Sequence, residues 1–138
     1  MVARHRALGL VLLGVTQAAA SVSADVKIEK VLCLNQPNCY RLSNGVVDVV
    51  VTTDLGPRII RHGFAGEDNL LGEISDDTVK TDLGVWKPWG GHRLWTAPDS
   101  MPRSYSPDNE PVAFTIKGST IRLVQPVEQR LAFRKSSR

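Results

Sequence analysis

Aromatic side chains are scarce in this chain, at 6% of 138 residues, and cysteine and methionine occur only twice each. So few large rings argue against a core built on aromatic stacking, and two cysteines are too few for a disulfide-dense scaffold. No window of about a dozen residues sustains a helical period, which excludes a helical bundle. The longest apolar run, LGLVLLGVT, is about half of the roughly 20 residues that a membrane-spanning helix requires. Acidic and basic residues are nearly balanced, and the excess of base lies at the two ends. Setting aside residues 1 to 24, which hold Arg4 and Arg6 and no acid, takes the net charge from +3 to +1. The final RLAFRKSSR carries four more basic residues, so 25 to 129 stands at about −3. A nucleic-acid partner would require a basic face on the body, and this body is mildly acidic.

What is present begins with a secretory head. MVARHRA is short and basic, LGLVLLGVT apolar, and QAAASVSAD a small-residue exit, the three parts of a signal peptide. Cleavage is expected after Ala24, with Ala20 the second choice. The mature chain is then exported to the periplasm or the exterior with no membrane anchor. In that oxidising setting Cys33 and Cys39, framing CLNQPNC, are expected to form a disulfide at the entry to the fold. Zinc would need further ligands, and the mature chain offers only His62 and His92, far apart in sequence, so no metal is expected.

The body alternates as β-structure. VKIEKVL (26 to 32) and CYRLS (39 to 43) read as strands, and Asn44-Gly45 is a tight-turn signal leading into VVDVVVTT (46 to 53). After Asp54, Gly56 and Pro57 comes RIIRHGF (58 to 64), in which Arg58 and Arg61 read as a solvated strand face and His62 as incidental. EPVAFTIKG and STIRLVQPV form a second hairpin. The fold class is therefore all-β and antiparallel, with a long irregular insertion from about 74 to 109.

All three tryptophans fall inside that insertion, in WKPWGGHRLWTAPD. Loops of this length commonly carry function. Rings that also present hydrogen-bonding groups suit a sugar, whose C–H faces stack while its hydroxyls need donors and acceptors. Gly90 and Gly91 would allow close backbone approach or positive φ before His92 and Arg93. The plainer reading is that Trp86, Trp89 and Trp95 plug one end of a sandwich while His92 and Arg93 pair with nearby acids. Asp99, Asp108 and Asn109 read as loop-capping residues.

CYRLSNGVVDVVVTTDLGPRIIRHGFAGEDNLLGE, followed by GGHRLWTAPD, YSPDNEPV and IRLVQPVE, resembles the opening half of bacterial proteins in the galactose mutarotase-like superfamily, which includes the aldose epimerases. The likeness spans roughly residues 39 to 128 and is greatest to an exported branch. It implies an antiparallel β-sandwich, the supersandwich of that superfamily, with carbohydrate bound in a groove across one sheet and no cofactor. It also implies His92 as acid, with Arg93 and Trp95 contacting the sugar. Mutarotation takes a proton from the anomeric hydroxyl and delivers one to the ring oxygen, so it needs an acid and a base across one sugar. The family's carboxylate base comes late in the chain, whereas here the pattern stops near Val127 or Glu128 and 129 to 138 is an unpatterned basic tail, as a frameshift would give. The expectation is thus residues 25 to 128 as the N-terminal part of an incomplete sandwich, sugar-binding but without turnover as an isomerase. The alternatives are a non-catalytic carbohydrate-binding module and a small secreted structural β-protein.

Overall fold

A computed structural model of the chain describes residues 25–74 and 76–127 together with the backbone of 136–137. The expected signal segment and nearly all of the basic tail lie outside the described residues.

β1 (Lys27–Cys33) and β2 (Gln36–Ser43) form the first hairpin. Its two-residue loop, Leu34-Asn35, has positive φ at both positions, 45° and 57°. Loops of this kind match the twist of the flanking strands, and asparagine tolerates the conformation far better than leucine. The Cys33–Cys39 disulfide closes this same hairpin tip. Asn44-Gly45 makes the next reversal. Gly45 has φ +82°, and Asn44 Oδ1 accepts from the backbone N–H groups of Val46 (2.9 Å) and Val47 (2.8 Å), which launches β3 (Val47–Thr52).

β4 (Arg58–Phe64) pairs with β3 through a bulge. Val51 faces Ile59 and Val50 faces Arg61, so Ile60 is the extra residue on β4. The expected insertion contains short ladders: β5 (Glu73–Ile74), β6 (Val79–Thr81), β7 (Gly84–Trp86), β8 (Trp89–Gly90) and β9 (His92–Arg93). β6 pairs with β7 and β5 with β8. β9 joins the main sheet beside β4, giving the antiparallel order β1-β2-β3-β4-β9. After a 3₁₀ turn at Arg103–Tyr105 come β10 (Ala113–Lys117) and β11 (Thr120–Val124), a hairpin extended by β12 (Ser136–Ser137). Among the described residues there is no α-helix, and the fold is all-β and antiparallel, with the five-stranded and three-stranded sheets layered in sandwich fashion and two two-stranded ladders beside them.

Strand alternation sorts the main sheet into two faces. On one lie Tyr40, Leu42, Val49, Val51 and Ile59, which pack with Val112, Ile121 and Leu123 brought by the second layer. Tyr40 and Phe114 add a tilted ring contact at 5.0 Å. Each fully buried member contributes roughly 1.5–3 kcal/mol. On the other face Cys39, Val50 and Ile60 are buried against Val31, Cys33 and Leu34. The second layer is narrow. Every residue of β10 is exposed, Phe114 and Ile116 included, and among the described strands only β11 pairs with it.

Candidate functional site

Gly90 and Gly91 deliver the chain onto β4. Both have positive φ, 75° and 68°, and a Cβ on Gly91 would sit 2.2 Å from the Ile59 carbonyl oxygen. Their close approach is to the protein's own backbone: the Gly91 N–H donates to the Gly72 carbonyl at 2.7 Å. The register that results sets Arg93 opposite Arg58 and His92 opposite Ile59. Neighbours on a strand point to opposite faces, so His92 and Arg93, read from the sequence as a unit, are separated by the sheet.

Arg93 goes inward. It is 3% exposed, and its guanidinium lies 4.9 Å from the Trp86 ring centre and 3.9 Å from that of Trp95. It donates to Asp108 Oδ2 at 3.2 Å and to the Ser104 carbonyl. Arg58 is equally buried, where the sequence suggested a solvated face. Its guanidinium donates to both oxygens of Asp108 (3.2 and 3.0 Å) and to the Pro88 and Gly90 carbonyls. Alternation revealed the period of RIIRHGF but not that a partner fifty residues away would cover one side. Burial is the main force pulling the Arg58 guanidinium below its ordinary value; the charge of Asp108 opposes it, and the Arg93 cation adds to it. Two guanidinium groups thus share one carboxylate, and backbone carbonyls and indole faces disperse the remaining charge.

The tryptophans crowd together for this reason. Trp86 is buried and meets Tyr105 edge-on at 5.2 Å, and Trp95 meets the same ring at 5.7 Å. Trp89 Nε1 donates to Asn109 Oδ1, whose own amide donates to the Val85 carbonyl at 2.8 Å. Asp99 accepts from the Tyr105 hydroxyl. Trp95 remains 51% exposed, on the side of the sheet that holds Arg93.

His92 goes outward, and the bulge decides what it meets. Residues three apart on a regular strand face opposite ways, which would put His62 behind the sheet from Ile59. The extra residue at Ile60 restores the match: His62 faces Val49, Ile59 faces Val51 and His92, and all of these side chains share one face. Val49, Ile59, His62, Leu71 and His92 line an open concavity of about 340 Å³, within the ~300–1,000 Å³ of small-ligand sites. It adjoins a second apolar cleft of about 210 Å³ that reaches under the β10–β11 hairpin to Ile121 and Leu123, with Val49 and Ile59 as shared walls. Both imidazoles are exposed.

No known protein family, curated protein or solved structure matches this chain. Its chemistry is therefore read from the geometry. The histidine side offers two exposed rings over an apolar floor. The arginine side is committed to its own salt bridges and carbonyl contacts, while the buried Nε atoms of Arg58 and Arg93 and the Trp86 Nε1 have no partner among the described residues. Of the residues singled out in the sequence, Arg93 and Trp95 touch each other and His92 stands away from both. His62, set aside as incidental, is the residue the structure brings to His92. The only sequence signal for it was its place in RIIRHGF, and a bulge cannot be read from alternation.

Proposed function

We propose that this chain is an exported carbohydrate-binding protein of the galactose mutarotase type, which holds a sugar in the groove flanked by His92 without turning it over. The observation that carries the reading is the groove itself. An antiparallel sheet leaves part of one face uncovered by its second layer, and the uncovered part is walled by apolar residues with imidazoles at hand. The C–H face of a pyranose fits against Val49, Ile59 and Leu71, and its hydroxyls find donors and acceptors in the rings. The resemblance of GGHRLW, APD and PDN to that superfamily points the same way, and the basic, apolar and small-residue head of residues 1 to 24 supports export.

Arg93 takes a positioning role in this reading: locked to Asp108 and stacked between indoles, it fixes the strand from which His92 projects. Binding without turnover is supported by the groove's lining, which among the described residues includes no carboxylate opposite His92 to serve as base. Calorimetric titration with galactose, glucose and short oligosaccharides tests the proposal. Saturable heat is expected for at least one sugar and is expected to vanish in His92→Ala, while polarimetry shows no acceleration of mutarotation over buffer. If no sugar binds at millimolar concentration, the reading fails; if mutarotation is accelerated, its non-catalytic part fails.

A further inference from the structure

His62 and His92 lie thirty residues apart in sequence, and the Ile60 bulge and the Gly91 junction put them on one sheet face and in the wall of one concavity. We propose that the two form a site for a divalent transition-metal ion of the copper, nickel and zinc class.

The placement follows from register. His92 pairs directly with Ile59, and His62 stands two effective positions further along β4 once the bulge residue is discounted. Two steps of ~3.3 Å along the strand and one gap of ~4.8 Å between strands separate the Cα atoms by roughly 8 Å. Two imidazoles leaning together from the same face can close that span on one ion at ~2.0–2.1 Å from each nitrogen.

Availability is the second support. Neither ring makes a hydrogen bond or ion pair within the described residues, where a histidine held for structural reasons would donate to a carbonyl or carboxylate. Only the backbone of His62 is engaged, its N–H donating to Asn69 Oδ1 and its carbonyl accepting from the Leu70 N–H. Among the described residues no third histidine, cysteine or carboxylate joins the pair, and both cysteines are consumed in the disulfide. The ion would therefore keep open positions for water or for an incoming oxygen ligand, as sites that exchange ligands do. Two neutral nitrogen donors with no carboxylate select against calcium and magnesium, which demand oxygen, and favour Cu²⁺ above Ni²⁺ and Zn²⁺.

The test is titration of the untagged full chain, disulfide intact, with Cu²⁺, Ni²⁺ and Zn²⁺ and with Ca²⁺ as the oxygen-seeking control. One ion per chain is expected for Cu²⁺. Affinity should fall at least tenfold in His62→Ala and, separately, in His92→Ala, with Ca²⁺ showing no saturable binding. Both rings are exposed, so the variants should fold; unchanged far-ultraviolet dichroism and unfolding midpoint check this, and His62→Gln and His92→Gln repeat the result without loss of bulk. Wild-type affinity in either single variant, no Cu²⁺ binding at all, or equal binding of Ca²⁺ overturns the site. The proposal stands apart from sugar recognition, because it is read in the absence of any carbohydrate.

Discussion

Arg93 and His92 are consecutive residues of one two-residue strand, yet Arg93 is sealed between two indoles and His92 is open to solvent. The same holds one strand away, where Arg58 is buried and His62 exposed. One side of the β4–β9 ribbon is occupied by a shared carboxylate, backbone carbonyls and aromatic faces; the other carries an apolar floor with two unengaged rings. The difference teaches that richness in polar residues does not by itself mark a site. What separates the two sides is whether charge is met within the protein: the arginine side pairs its guanidinium groups with Asp108 and backbone carbonyls, though both Nε atoms stay unpartnered, while the histidine side leaves its imidazoles exposed and free.

Substitutions that act on one side and not the other can break that comparison. The largest effect is expected from Asp108→Ala, which strands two buried guanidinium groups and should lower stability by about 3–5 kcal/mol in urea unfolding. Replacing the three together, Arg58→Met, Arg93→Met and Asp108→Leu, should recover much of that loss, since the desolvation penalty goes with the charges. A loss below about 1 kcal/mol in Asp108→Ala would show that the cluster is not what holds β9. Gly91→Ala comes next. It forces a side chain into positive φ and against the Ile59 carbonyl, at about 3 kcal/mol from strain and overlap together. Because β9 must then shift from β4, the His92 ring resonances should move as well, which couples the two sides.

Removing the disulfide with Cys33→Ser and Cys39→Ser should cost about 2 kcal/mol by loop entropy for so short a loop. It packs with Ile60 on the face of the sheet opposite the imidazoles, so the histidine resonances should stay in place, and their movement would show that the two faces are coupled. The smallest effect is expected for His92→Ala, within about 0.5 kcal/mol of wild type in the same unfolding measurement. A large destabilisation there would mean that the open side is structural after all.

Much of the sheet was legible beforehand. Asn44-Gly45 located the β2–β3 reversal, RIIRHGF coincided with β4 residue for residue, and the alternation around Lys117 and Gly118 located β10 and β11. The short ladders between residues 73 and 93 were not legible, because strands of two or three residues are too brief for a period to show. The site was half legible. His92 could be singled out from its setting after two glycines, but grouping it with Arg93 overlooked that adjacent strand residues diverge. Finding His62 required the bulge, and burying Arg58 required knowing that Asp108 returns across fifty residues.

That return also orders events in time. The hairpins of β1 through β4 close over short stretches of chain, with turns held by Leu34-Asn35 and Asn44-Gly45, so they can zip early in folding. The Arg58 to Asp108 bridge spans fifty residues and can form only after the loop between them has been gathered in. Interactions made that late are absent from the transition state, and weakening them speeds unfolding while leaving the folding rate nearly unchanged. In a chevron experiment Asp108→Ala is thus expected to raise the unfolding limb and spare the folding limb. The buried carboxylate would then act as a latch, governing how long the folded protein lasts more than how quickly it forms.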